Sequence, residues 1–190
     1  MRLSLRAATI GIALGEAALL LGLVVYLAAT GKTLSVSVGY PGEAPAAARL
    51  VIPVAGVRES ELRDSYGAGR SGGRQHKGVD IFAKDGTPVL AASAGVVVKR
   101  ATSALGGVSL YLRDLDGRTV YYYAHLQRYR AGLKEGDLVR AGEVVAYVGH
   151  TGNAPAGNPH LHFAVYTVSD PNRWWRGRDL NPYPLLVRTR

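Results

Sequence analysis

Five histidines, at positions 76, 125, 150, 160 and 162, and the residues around them carry the chemistry of this 190-residue chain. His76-Lys77-Gly78-Val79-Asp80 sets an imidazole and a carboxylate four residues apart. On a strand, positions 76, 78 and 80 share a face, so both side chains converge and Gly78 leaves room between them. His160-Leu161-His162 does the same at spacing two, with both rings leaving one face while Leu161 turns to the core. Two histidines and one aspartate form a nitrogen and oxygen donor set suited to zinc. Three protein ligands leave a fourth position for water, as catalytic rather than structural sites do. Water on such an ion has a pKa of about 7, which makes it a nucleophile at neutral pH. A lone His-x-His on a strand is more often a pair of hydrogen-bonded histidines than a metal site, and His-x-x-x-Asp alone says still less. Both motifs together, with Tyr123-Ala124-His125-Leu126 at a strand end and glycine-rich turns around them, point to a metal centre. The helical His-Glu-x-x-His pattern is absent, so no glutamate of that motif serves as base.

The elements that position these residues read as short strands. Pro88–Val98, Val108–Arg113, Thr119–Ala124, Glu143–Gly149 and Leu161–Val168 are rich in Val, Tyr and Leu and are separated by turn signals. Asp116-Gly117, between Tyr111-Leu112-Arg113 and Thr119-Val120-Tyr121, predicts the clearest hairpin. The segments 85–91 and 135–141 echo each other as acid-Gly-x-x-Val-x-Ala, and each leads into a valine strand. Two copies of one small β unit would build a compact antiparallel sheet, whereas a solenoid would need at least three. The expectation is an all-β domain over 49–170, with a tail at 171–190. Gly67–Gly73 and Gly152–Gly157 would form groove walls, the first of them mobile.

The first thirty residues differ. After Arg2 and Arg6, Ala7–Thr30 is apolar or small except for Glu16. A helix of that length would reach about 36 Å and cross a bilayer, with the arginines favouring the N-terminus inside. A cleavable signal peptide is the competing reading, although Tyr26 and Leu27 make a poor small-x-small site before Ala28-Ala29. Residues 1–31 thus read as a transmembrane or signal segment and 32–48 as a Gly-, Pro- and Ala-rich linker. Export is expected in either case. The absence of cysteine excludes a disulfide scaffold, a thiolate zinc site and a Cys nucleophile.

At the histidine motifs the sequence resembles the M23 (LytM/lysostaphin-like) metallopeptidases, which are peptidoglycan endopeptidases. The residues that carry the resemblance begin with Gln75-His76-Lys77-Gly78-Val79-Asp80-Ile81-Phe82, Gly86-Thr87-Pro88-Val89 and Gly95-Val96-Val97. They continue with Tyr122-Tyr123-Ala124-His125-Leu126, Gly149-His150-Thr151-Gly152-Asn153-Ala154 and Pro159-His160-Leu161-His162-Phe163, and a family-like tail follows at Asn181-Pro182-Tyr183-Pro184-Leu185. The resemblance implies a duplicated-hybrid-motif β fold and a Zn²⁺ ion held by His76, Asp80 and His162. It gives His125 and His160 the catalytic places beside the metal, where either is the base. The implied function is hydrolysis of peptide cross-links in the cell wall. The alternative is a non-hydrolytic module that binds or activates a wall hydrolase, as members that have lost ligands do; all five positions are kept here. A lipoyl-type carrier ranks last, because it has no use for converging His and Asp. Two departures, His150 and Gly157-Asn158, touch no inferred ligand, and His150 reads as a turn residue.

The net charge of +9 includes only Arg2, Arg6 and Glu16 from residues 1–31, so +8 remains on the rest. Such a domain is drawn to polyanions, and a cell wall bearing peptide carboxylates qualifies as well as nucleic acid does. Export decides against nucleic acid. The expected place is the cell envelope, anchored in the inner membrane and facing the periplasm or, if cleaved, secreted; a regulatory protein partner is compatible. Tyr121-Tyr122-Tyr123 alternates faces, so Tyr122 is expected to face opposite to its neighbours, and core packing is expected of the run rather than catalysis. Arg173-Trp174-Trp175-Arg176 reads as a tail whose tryptophans pack on the domain edge rather than as a nucleic-acid or membrane patch.

Overall fold

A computed structural model describes residues 22–26, 35–39, 50–155, 157–170, 173 and 175–187. The chain divides into two units, Met1–Ala48 and Arg49–Arg190. In the first, β1 (Gly22–Tyr26) pairs antiparallel with β2 (Ser35–Gly39), from Gly22↔Gly39 to Tyr26↔Ser35. Residues 22–26 therefore form a strand where a helix was expected; Val24, Val25 and Tyr26 are β-branched or aromatic and favour extended backbone. The remainder of the expected helix lies outside the described residues, among which no helix is long and apolar enough to cross a membrane.

The second unit is almost wholly β. Its strands are β3 (Val79–Phe82), β4 (Pro88–Leu90), β5 (Gly95–Ser103), β6 (Gly107–Asp114), β7 (Thr119–Tyr129), β8 (Leu138–Val139), β9 (Val144–Val148), β10 (His160–Thr167) and β11 (Arg178–Leu180), followed by α1 (Tyr183–Leu186). Every pairing among them is antiparallel. The sheet runs β11-β10-β7-β6-β5-β8, with β3 beside β10 and β9 joining β7 to β4. Alternation sends Leu110, Leu112, Tyr121, Tyr123, Leu126, Leu161, Phe163 and Val165 into one core. The expected single strand Pro88–Val98 is two strands, parted at Ala91-Ala92 where the chain crosses the core.

The two echoing segments occupy equivalent places and interlock. Gly86 N–H donates to the Val148 carbonyl and Gly136 N–H to the Val97 carbonyl, each at 2.8 Å. The valines return the bond: Val148 N–H to Thr87 at 2.8 Å and Val97 N–H to Asp137 at 2.9 Å. Each turn thus caps the valine strand of the other copy, and Gly86 (φ 78°) and Gly136 (φ 92°) supply the left-handed backbone that both turns need. The tail closes on the same domain through β11 on β10 and through buried Leu186, whose neighbour Leu185 accepts a bond from Leu50 N–H. Trp175 is 62% exposed and borders a recess with Lys99, Ala101, Tyr111 and Tyr166, and Trp174 lies outside the described residues.

Candidate metal centre

β10 is the spine of the site. It pairs with β3 in a register that sets His162 opposite Asp80 and His160 opposite Phe82, and with β7 so that His162 also faces Ala124. Three of the predicted residues converge: donor atoms of His76, Asp80 and His162 lie within 4.8 Å of one another. His76 Nε2 is 2.8 Å from His162 Nδ1 and 3.0 Å from Asp80 Oδ1, and His162 Nδ1 is 3.2 Å from that same oxygen. Ligands about 2.0–2.1 Å from a tetrahedral ion stand about 3.3 Å apart, so this donor triangle fits zinc with little adjustment. Gly78 gives the room expected of it, since a Cβ there would sit 2.9 Å from His162 Cε1.

Three of the four rings, those of His76, His125 and His160, are aimed by a backbone carbonyl. His76 Nδ1–H donates to Ser65 O at 2.7 Å, leaving the Nε2 lone pair for the metal position. His125 Nδ1–H donates to Thr151 O at 2.8 Å and His160 Nδ1–H to Asn158 O at 2.9 Å. Both therefore present Nε2, and their rings lie 4.9 Å apart on the same groove. Burial lowers the His125 pKa to about 4, helped by the neighbouring His160 and His162 against the opposing Thr151 carbonyl and Asp80. At neutral pH this ring is uncharged and able to accept a proton. Burial also lowers His162, against the pull of Asp80. For Asp80, burial pushes the carboxyl up, but hydrogen bonds from His162, His76 and Arg70 outweigh it and hold the group well below the usual range.

The placement of His125 depends on a β-bulge. Between the pairs Leu110↔Tyr123 and Val108↔Leu126, the single residue Ser109 opposes Ala124 and His125 together. His125 takes φ 60°, the left-handed region, and is the one described non-glycine residue to do so. Its N–H is held by Gly106 O at 2.8 Å. Ala124 and His125 consequently both face the groove, while Tyr123 and Leu126 on either side remain in the core. The residue stands in mid-strand rather than at the strand end expected, because β7 continues to Tyr129. Such a strained backbone marks positions that serve a site.

Tyr122 faces opposite to its neighbours, as the alternation implied, and it lies on the groove rather than in the core. Tyr121 and Tyr123 are core residues, but Tyr122 lines the groove with its ring 6.0 Å from His162. His150 stands apart from the cluster and meets Asp85 at 3.0 Å on an exposed turn. Of the glycine-rich walls, 67–76 is a bonded hairpin rather than a free loop: Gly67 N–H donates to His76 O and His76 N–H to Ala68 O, each at 2.8 Å.

Sequence reasoning missed the residues that aim the others. The Ser65 carbonyl holds His76, and its hydroxyl accepts Asp80 N–H at 3.1 Å. Arg70 holds Asp80 Oδ2 and leaves Oδ1 to the histidines. Thr151 fixes the far wall: its hydroxyl accepts Val108 N–H at 2.9 Å and donates to Leu126 O at 2.8 Å. These act through backbone groups and distant contacts, so no local pattern betrays their roles, although the Gly67–Gly73 loop holds Arg70 and the Gly149–Ala154 motif holds Thr151.

Known proteins resemble this chain in sequence and in fold. The L-Ala–D-Glu endopeptidase of Bacillus subtilis is 37% identical over 131 residues, 65% of this chain and 39% of that protein. Lysostaphin of Staphylococcus simulans is 42% identical over 99 residues, 52% of this chain and 19% of that protein. The chain thus spans well under half the length of either relative. Among solved structures, the catalytic domain of that lysostaphin superposes with a TM-score of 0.56 at 36% identity, covering 66% of this chain and 90% of that domain. Residues 74–182, from the hairpin beside His76 into the tail, match Peptidase family M23, and this match spans more than half the chain and contains every converging side chain described above. The chain belongs to peptidase family M23.

Proposed function

We propose that the protein is a zinc-dependent endopeptidase that hydrolyses peptide cross-links of peptidoglycan. The observation that carries the reading is the convergence of His76 Nε2, Asp80 Oδ1 and His162 Nδ1 on the floor of a groove that also receives His125 and His160. In this reading His76, Asp80 and His162 hold the ion. Bound Zn²⁺ would supply a Lewis acid for the scissile carbonyl and would acidify water in its open position. The chain's own residues do the rest. Neutral His125, fixed by Thr151, takes up a proton at Nε2 from the attacking water. The proton that His125 gains is then available to the leaving amine, while His160, fixed by Asn158, faces the same space and donates from Nε2 to the developing oxyanion when it carries a proton on both nitrogens; the two rings exchange these roles equally well on geometry. The groove, about 770 Å³, admits an extended peptide with Tyr122 and Tyr166 along its side. The domain boundaries that go with this reading are 49–170 for the peptidase body and 171–190 for its tail.

The apolar Ala7–Thr30 segment serves, in the same proposal, to export or anchor the chain, placing the groove on the extracytoplasmic side where the wall lies. The experiment is to incubate the metal-loaded full chain with intact sacculi and identify released fragments by mass spectrometry, with His162→Ala as control. New peptide termini that vanish in the variant are expected. Metal binding without release would replace the hydrolase with a module that binds or activates another wall enzyme.

A further inference from the structure

One wall of the groove is cationic and the other is neutral. Arg70, Arg74 and Lys77 line one side, whereas Leu105, Gly106, Asn153, Ala154 and Pro155 line the other. The only carboxylate among the lining residues is Asp80, which belongs to the metal cluster. Two of the three cations have acidic partners: Arg70 bonds Asp80, and Lys77 lies 3.1 Å from Asp179.

Arg74 is different. It sits on the 67–76 hairpin directly across from Arg70, whose N–H donates to Arg74 O at 2.8 Å next to the Gly69↔Gln75 bridge. The two arginines flank the Ser71–Gly73 turn, and the charge of Arg70 is taken by Asp80. Among the described residues the Arg74 guanidinium is held by neutral groups alone, its Nε donating to Ser71 O at 3.1 Å and one Nη to Ser71 Oγ at 3.3 Å. Two of its five N–H donors are thereby used to fix its plane on the groove lip, and the others remain for a ligand. A pre-oriented guanidinium is the group that best takes a carboxylate by two parallel bonds.

We infer that Arg74 is a specificity-determining residue that binds a free carboxylate on the peptide substrate, so that the groove selects acid-bearing stem peptides over uncharged chains such as glycine bridges. This rests on the hydrolase reading above, and its test separates the two. Soluble peptidoglycan peptides would be prepared in two forms, one with carboxylates free and one with them amidated. Both would be offered to the metal-loaded full chain, to Arg74→Gln and to Arg74→Lys, with thermal melts to verify folding. Wild type is expected to favour the free-carboxylate form by about tenfold in kcat/KM, mostly through KM. The Arg74→Gln ratio should fall to within about twofold, and Arg74→Lys should restore part of it. Equal use of both forms by wild type, or a full preference retained by folded Arg74→Gln, would overturn the inference. If wild type cuts neither form, the hydrolase reading fails instead, and calorimetric binding of the same two forms decides: tighter binding of the free-carboxylate form that depends on Arg74 supports the inference, and equal binding overturns it.

Discussion

At the scale of single residues, the site separates groups that would hold a metal from groups that would use it. Asp80→Ala or His162→Ala removes one of three donors and should abolish retention of zinc through dialysis, read by elemental analysis. His125→Ala should keep the metal and lose turnover by about 10²-fold or more, the usual weight of a positioned acid or base; wild-type activity there would remove the residue from the chemistry. Arg70 acts through Asp80, whose second oxygen it holds. Arg70→Ala should therefore weaken zinc affinity by about 10–100-fold in a chelator competition, and Arg70→Lys should recover part of that loss. An unaltered affinity would mean that Asp80 is oriented by Ser65 and the histidines alone. Acid should act on the metal-free fold through the same groups. Burial lowers the folded-state pKa of His125 to about 4, so its contribution is complete above the unfolded value of about 6.5 and disappears as pH falls through 4. Asp80, also held low, has the same sign and extends the loss to still lower pH. The thermal midpoint of the metal-free protein should accordingly fall with acid below about pH 6.5 and more slowly in His125→Ala.

At the scale of elements, what positions the site is a set of departures from regular strands. β3 must approach β10 closely enough to bring Asp80 to His162, and Gly78, just before β3, leaves no room for a Cβ, which would meet Phe163 O and the His162 ring. Gly78→Ala should cost about 1–3 kcal/mol of stability by overpacking and, because the intruding methyl meets the His162 ring, weaken zinc binding as well. A stability loss with unchanged zinc affinity would show that His162 yields without leaving its place. The strands themselves were legible in the sequence because Val, Tyr and Leu alternate between glycine turns, and the convergence of His76, Asp80 and His162 was legible from the two motifs, although His76 lies just before β3 and not on it. The bulge at Ala124-His125 was not, since alternation alone would send His125 to the core beside Tyr123. The two strands that replace Pro88–Val98 were hidden for a related reason: Ala91 and Ala92 continue the apolar run but serve a crossing of the core. Reciprocal capping of the two echoing turns was half visible, as a repeat whose partners no sequence pattern could assign.

At the scale of the whole molecule, the chain carries +9 and its proposed substrate is a polyanion of peptide carboxylates. Two electrostatic effects follow, and they have different ranges. The net charge attracts the wall at a distance, and salt screens it: the Debye length shrinks from about 30 Å at 0.01 M to about 8 Å at 0.15 M. Arg74 acts at contact, where its bonds to a carboxylate are screened much less. Co-sedimentation of the full chain with sacculi should therefore weaken progressively over that salt range, both in wild type and in Arg74→Gln. The preference for free over amidated peptides should survive at the higher salt in wild type and be missing from Arg74→Gln at every salt. A preference that disappears with salt in parallel with sacculus binding would assign it to the summed field of the domain and not to one guanidinium. A preference that persists while binding falls would place capture of the wall and choice of the bond on separate parts of the same surface.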